Sequence, residues 1–505
     1  MHQRYFAKAA LLLAVVLLFT SFASDVAART AKSYDADVVL RVCNWEEYID
    51  LGDWDEEETI DLESGDIIGV NDMVTDFEEW YLENYGKRVK VEYSTFGTNE
   101  DLYNMLALGD VYDLVCPSEY MIMKLITEDQ IEMLSEHFFD QNDPLNYYIN
   151  GVSPYIRNIF ETHDINGVTW DKCAAGYMWG VTGFVYNPDE LTEEEASTYH
   201  LLENRDYFRQ ITVKDNVRDS YFMALGSLKS DLLTSDAFQN DPDYGMRLQD
   251  EMNDVAPETI ARVQDYLQDI KDNLYSFETD SGKADMITGK VVANYQWSGD
   301  AVYTMDQAEE DDYYLNFAVP EEVTNVYFDG WVMLKNGIKE DPAKKEAAEA
   351  FINFISRPDN VIRNMYYIGY TSTIAGGEDA RILEYVDWCY GAEEDEEETV
   401  DYSLAYFFSE DGEDEEGEYT LTVPEESMHR QLLAQYPSGE IIDRASIMVY
   451  FNAEQNELIN RMWVRVRCFN ILDVPVWAWI LLAVAVIAGV GGWIRHKQNQ
   501  KREWA

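Results

Sequence analysis

The residue types that most often carry catalysis are thin in this sequence. Six histidines, His2, His137, His163, His200, His429 and His496, are scattered, so neither a metal cluster nor a Ser-His-Asp set stands out. Five cysteines, Cys43, Cys116, Cys173, Cys389 and Cys468, are odd in number and widely spaced, which fits neither a disulfide framework nor a zinc signature. Cys43 and Cys116 each end an apolar run and are expected as buried free thiols. Aromatics and acids are instead plentiful: 35 Tyr and 13 Trp, with 97 Asp+Glu against 37 Lys+Arg. A ring face attracts a cation by about 0.5–2 kcal/mol. A carboxylate in a drying cleft accepts strong charge-assisted bonds from an ammonium. The acidic surplus fits solubility, a salty environment or the attraction of cations, and aromatic platforms with paired carboxylates also suit sugars.

The same composition excludes other classes. A net charge of −60 leaves no clustered Lys and Arg for phosphate recognition, so a nucleic-acid binder is not expected. Hydrophobic residues at 47% and aromatics at 14% supply cores that a disordered chain lacks. A chain of 505 residues implies two or more domains or lobes.

Local patterns define the elements that must position these groups. Residues 40–44 read as a buried strand. Residues 71–85 read as a helix, with Met73, Val74, Phe77, Trp80 and Tyr81 on one face and Gly86 as its stop. A strand over 88–93 follows, then a helix capped by Thr98-Asn99 and running to Leu108. Residues 112–116 form the next strand, and Pro117-Ser118 opens the next helix. This β-α-β-α succession predicts a parallel sheet flanked by helices. Further strands are expected over 178–187, 291–297 and 331–334. Asp341-Pro342 starts a helix reaching Ile355, and Pro358 marks its end. Two acidic segments, 50–66 and 392–418, break the pattern. The second is expected as a solvated, partly disordered insertion. Glu46, Glu47 and Glu119 are also expected in solvent.

The two ends read as export and anchorage. Residues 1–28 form a signal peptide: Arg4 and Lys8 precede an apolar run over 9–19, and small residues place cleavage after Ala23 or Ala28. Residues 474–494 carry no charge, are long enough to span a membrane, and hold Trp477, Trp479 and Trp493 near their edges. The tail 495–505 holds Arg495, Lys497, Lys501 and Arg502, which the positive-inside rule places in the cytoplasm.

Six motifs, in order, resemble the periplasmic spermidine/putrescine-binding proteins of ABC importers. They are Asn44-Trp45-Glu46-Glu47-Tyr48, Tyr112-Asp113-Leu114-Val115-Cys116-Pro117-Ser118-Glu119-Tyr120, and Tyr177-Met178-Trp179-Gly180-Val181-Thr182-Gly183-Phe184-Val185-Tyr186-Asn187. Then come Trp297-Ser298-Gly299-Asp300, Phe328-Asp329, and Phe351-Ile352-Asn353-Phe354 leading to Arg357-Pro358-Asp359 and Ile368-Gly369-Tyr370. The match fades beyond Tyr370 and resumes faintly over 440–463. The resemblance implies an α/β, two-lobed, periplasmic-binding-protein-like fold of type II. Lobe 1 would take 37–172 and 329–380. Lobe 2 would take 173–328 and 381–465, with the acidic insertion at 392–418. It further implies a monomeric binding protein rather than an enzyme, with no cofactor and a small-molecule polyamine ligand. Its partners would be ABC permease subunits with a cytoplasmic ATPase, reached from the membrane through the C-terminal helix.

Carried over by matching motifs, Trp45 and Tyr48 would form one wall of the site, with Ser118 and Tyr120 beside them. Trp297, Tyr327 and Tyr370 would form the opposing wall. Asp329 would accept an ammonium. Asp300 matches a carboxylate of the putrescine-preferring branch, and Asp219 a position usually held by Glu. Two departures, Asn216 in place of an acid and Tyr327 in place of Trp, leave spermidine against putrescine open, with a lean toward the shorter diamine. The rivals are an extracellular glycoside hydrolase, for which no hydrolase motif speaks, and the same fold with another solute (an iron complex, a phosphonate or a cationic amino acid). A third is a sensor whose closure is read by a membrane partner.

Overall fold

The computed structural model describes residues 35–468 apart from 56–57, 279–280, 394–395 and 397. The signal peptide 1–28, the span 474–494 and the tail 495–505 lie outside the described residues. Among the described residues no helix is long and apolar enough to cross a membrane.

The N-terminal half builds as its local signals direct. Strand β1 (Val38–Trp45) is followed by helix α1 (Met73–Tyr85), which the Asp72 side chain caps by accepting from the Thr75 N–H. Gly86, at φ 65°, ends α1 in the left-handed conformation that glycine adopts without a Cβ penalty. α1 buries Met73, Phe77, Trp80 and Tyr81, the stripe its periodicity marks. Strand β2 (Val89–Phe96), helix α2 (Asn99–Leu108, capped by Thr98), strand β3 (Leu114–Val115) and helix α3 (Glu119–Thr127) complete the unit. β1 pairs in parallel with both β2 and β3.

Two long strands then run through the molecule. β4 (Ala175–Tyr186) is buried along its whole length. Strand β5 (Ile211–Lys214), helix α4 (Val217–Leu228), strand β6 (Ser276–Glu278), helix α5 (Ser281–Ile287), strand β7 (Ala293–Trp297) and helix α6 (Ser298–Glu309) follow. β8 (Thr324–Leu334) is the second long strand, also buried throughout. β8 pairs antiparallel with β3 at one end and with the first half of β4 along its middle. The second half of β4 pairs with β7, which lies parallel to β5, and β5 is parallel to β6. The sheet therefore reads β2-β1-β3-β8-β4-β7-β5-β6. Two parallel α/β lobes share a pair of antiparallel crossing strands. A strand buried on both faces needs a nearly continuous apolar run, and both crossing strands have one.

Several expectations change at this level. The acidic segment 50–66 is a packed strap. Ile49, Trp54, Ile60, Leu62 and Ile67 are buried, and Asp50 is fully buried. Asp50 accepts from the Trp54 indole at 3.0 Å and from Arg363 Nε at 2.8 Å, so its charge is paired rather than solvated. Within 392–418, a strand over Thr399–Ser403 pairs with Thr420–Pro424, and Phe407 stacks on Trp179 with ring centroids 5.5 Å apart. The acidic residues of this segment stay largely in solvent: Glu393, Glu396 and Glu398 are exposed, as is most of the tip over 410–418. Pro358 opens a second helix, Pro358–Ile368, as its first residue, besides marking the end of Pro342–Ile355. Cys43, Cys116 and Cys173 are buried free thiols, as their apolar settings suggest.

Candidate ligand-binding site

Asp329 sits where β8 shifts its register against β4. There it meets Ser118, the residue that precedes α3, across an isolated backbone bridge. Ser118 donates its hydroxyl to Asp329 Oδ1 at 2.7 Å, and Tyr48 donates its hydroxyl to Asp329 Oδ2 at 2.8 Å. Asp329 is only 5% exposed. Among the described residues no Lys or Arg forms an ion pair with it. Burial pushes its carboxyl up to about 6, and the Ser118 and Tyr48 hydroxyls only partly offset that penalty. The donors are themselves fixed. Asn99 Nδ2 donates to Ser118 Oγ and to the Tyr120 hydroxyl, each at 3.0 Å, and the Tyr48 carbonyl accepts from Tyr177 at 2.7 Å.

An aromatic cluster leads away from Asp329. Tyr48 meets Tyr177 and Tyr370 edge-on, with centroids 5.6 and 4.9 Å apart, and Tyr370 meets Tyr327 at 6.4 Å. Tyr370 lies directly over Gly299. A Cβ at that position would fall 2.2 Å from the ring, so the close approach requires glycine there. Trp45 ends β1 and packs on Phe96 at 4.7 Å, and its buried indole Nε1 has no hydrogen-bond partner among the described residues.

The Tyr370 hydroxyl then reaches Asp300 Oδ1 at 3.2 Å, joining the cluster to a second group of charges. Asp300 lies in the first turn of α6, directly after Trp297 at the end of β7. It is ion-paired with Lys214, the last residue of β5, and Lys283 of α5 stands 3.4 Å from its Oδ1. Lys214 is 2% exposed, and its Nζ also lies 4.0 Å from the centroid of the Trp297 ring. Burial alone would raise the Asp300 carboxyl, but Lys214 and Lys283 together hold it below its ordinary value. Asp219 accepts from the Trp297 indole at 3.3 Å, and burial pushes it up to about 6 despite that bond and the nearby Lys214 and Arg218. Arg218 stacks over Tyr120 at 4.6 Å and over Phe451 at 3.9 Å.

The predicted residues other than Trp45, whose ring packs on Phe96, form two connected groups. Tyr48, Ser118, Tyr327, Asp329 and Tyr370 surround one carboxylate; Asp219, Trp297 and Asp300 surround the other end. Tyr120 backs the first group through Asn99 and touches the second through Arg218. Asn216, the departure from the acidic pattern, caps α4, its side chain accepting from the Arg218 and Asp219 N–H groups. Sequence reasoning missed Lys214, Lys283, Arg218 and Tyr177. The available signal for Lys214 was a lysine closing a buried strand in a chain short of basic residues. Glu119 corrects an expectation: it is 1% exposed, accepts from the Phe328 N–H at 3.2 Å, and is pushed by burial to about 8.

The sequence pattern of the bacterial extracellular solute-binding protein family matches residues 72–380. The chain is 25% identical over 293 residues to a spermidine/putrescine-binding periplasmic protein of Salmonella typhimurium, a match covering 57% of this chain and 72% of that protein. It is 24% identical over 297 residues to the putrescine-binding periplasmic protein PotF of Escherichia coli (strain K12), covering 56% and 71%. A solved structure of a spermidine/putrescine ABC transporter substrate-binding protein, PotD from Streptococcus pneumoniae, shares the fold, with a TM-score of 0.52 and 22% identity over 85% of this chain and 99% of that one.

Proposed function

The chain belongs to the bacterial extracellular solute-binding protein family, and from that premise we propose that it binds a polyamine, or a close aliphatic-amine relative of one, in a cleft at Asp329 and passes it to an ABC permease. Membership makes it a binding protein rather than an enzyme, which sets the glycoside hydrolase aside. One observation carries the reading. Asp329 is a buried carboxylate satisfied by two hydroxyls and by no cation among the described residues. Such a group is costly to ionise until an ammonium arrives. The edge-on tyrosines beside it offer ring surface to an alkyl chain. The relatives whose names specify spermidine or putrescine point to the same chemistry.

In this reading lobe 1 comprises 37–172 and 329–380, and lobe 2 comprises 173–328 and 381–465. Strands β4 and β8 cross near the first two junctions and form the hinge. The signal peptide exports the domain, and residues 474–494 tether it beside the permease. Calorimetry on the full-length protein with putrescine, spermidine, cadaverine and arginine tests the ligand class. Binding that Asp329→Asn weakens by roughly 30–100-fold is expected. The absence of binding by any aliphatic amine at millimolar concentration would refute the reading.

A further inference from the structure

A diamine needs an anionic subsite at each end. In the motif pattern the second subsite would be the Trp297 face with the Asp300 carboxylate. Here the protein's own lysine already fills that role. Lys214 Nζ is ion-paired with Asp300 and stands over the Trp297 ring at 4.0 Å. Those are the two interactions an incoming ammonium would make, ring face and carboxylate. The pair is deeply buried, with side-chain exposures of 2% and 11%, and Lys283 approaches Asp300 on its other oxygen. Moving Lys214 away would leave Asp300 short of its closest cation in a dry setting, a change that is strongly destabilising in buried pairs. The remaining acid at this end, Asp219, already has the Trp297 indole bonded to it and Arg218 beside it. Asp329 has the opposite environment, with hydroxyl donors and no ion pair among the described residues.

The geometry points to a solute with one ammonium, taken by Asp329, and a carbonyl or carboxylate at its far end, met by Lys214. This rests on the proposed function, because it assumes that the Asp329 end receives an amine. A second ammonium would face the Lys214 cation across a low-dielectric space, where like charges repel strongly. A hydrogen-bond acceptor instead gains a donor, since an ammonium has three N–H groups and Asp300 uses only part of that capacity. Tyr370 lies between the two ends, bonding Asp300 and packing on Tyr48, so the alkyl chain of the solute would run along its ring.

The test is calorimetry on the full-length protein with compounds of matched length. Putrescine carries two ammonium ends, N-acetylputrescine an ammonium and an amide, and 4-aminobutyrate an ammonium and a carboxylate. The wild-type protein is expected to bind at least one acceptor-ended compound about tenfold or more tighter than putrescine. The amide and carboxylate arms distinguish a neutral carbonyl from a full anion. Putrescine binding equal to or tighter than both would overturn the inference. Lys214→Met is expected to reverse the order. The Lys214→Met/Asp300→Asn double variant, which leaves no unpaired buried charge from the pair, serves where the single change fails to fold, and there the preference for the acceptor-ended compounds is expected to be lost rather than reversed. An unchanged order in a folded variant also overturns it. Failure of the underlying reading looks different: no amine of any kind binds, or Asp329→Asn has no effect.

Discussion

Asp329 and Asp300 are both buried carboxylates, 5% and 8% exposed, joined by a chain of tyrosines, yet their surroundings push them in opposite directions. Asp329 receives only neutral hydroxyl donors, and burial lifts its carboxyl to about 6. Asp300 suffers the same burial but is held below its ordinary value by Lys214 and Lys283. Residue type is identical and exposure nearly so. What separates them is the charge that the fold brings alongside. A buried carboxylate with an internal cation forms a pair that is costly to break, and one without is costly to ionise.

The sharpest way to break this comparison is to neutralise each acid in turn. Asp329→Asn should weaken amine binding by roughly 30–100-fold, the worth of a charge-assisted bond of about 2–3 kcal/mol. A change under threefold by calorimetry would move the ammonium away from Asp329. Asp300→Asn should act on the fold first. It leaves Lys214 buried without its carboxylate, and a loss of roughly 3–5 kcal/mol should appear in chemical denaturation.

Next in size is the link between the two ends. Gly299→Ala drives a methyl into the Tyr370 ring and should cost about 1–3 kcal/mol, up to roughly a hundredfold in affinity. Unaltered binding would show that Tyr370 does not line the solute.

The pH dependence follows from the acids themselves. With Asp329 at about 6, amine affinity should drop about tenfold between pH 7 and pH 5, and this drop should vanish in Asp329→Asn. Asp219 rises to about 6 as well, so only the part lost in that variant belongs to Asp329. Stability moves the other way. Because the folded value exceeds the ordinary 3.8, the folded state binds the proton more tightly, and the ligand-free protein loses stability as pH rises from about 4 through 6. Asp329→Asn should therefore melt higher than wild type at pH 7 and match it at pH 4.

The smallest effect is expected at the acidic tip. Converting Glu410, Glu413, Glu415 and Glu416 to Gln should change affinity less than about twofold at physiological salt, since exposed charges are screened. Phe407→Ala, beneath the same hairpin, should cost about 3–5 kcal/mol of stability because it empties the space over Trp179. A larger loss of binding from the charge changes than from Gly299→Ala would make the tip part of the site.

Much of the fold was legible residue by residue. Thr98, Asp72, Asp341 and Gly86 cap or stop their helices as their types direct, because a cap is a contact within a few residues. The aromatic and acidic motifs also named most of the residues that gather around Asp329 and Asp300. The strap over 50–66 was not legible, since its acid pairs with an arginine 313 residues away and its apolar side chains are spaced too irregularly to show a period. Lys214 was missed for the same reason: its carboxylate lies 86 residues on, and nothing within its own strand announces the pair.

The sequence by itself determined the stock of groups, a surplus of 60 negative charges with abundant tyrosine and tryptophan, and the order of strands and helices that carries them. Only the tertiary structure decided which carboxylate was paired with a cation, Asp300, and which was left with hydroxyl donors alone, Asp329. Ionisation in a buried site depends on the desolvation and partner charges that distant segments impose, and those are properties of the packed fold rather than of the residue.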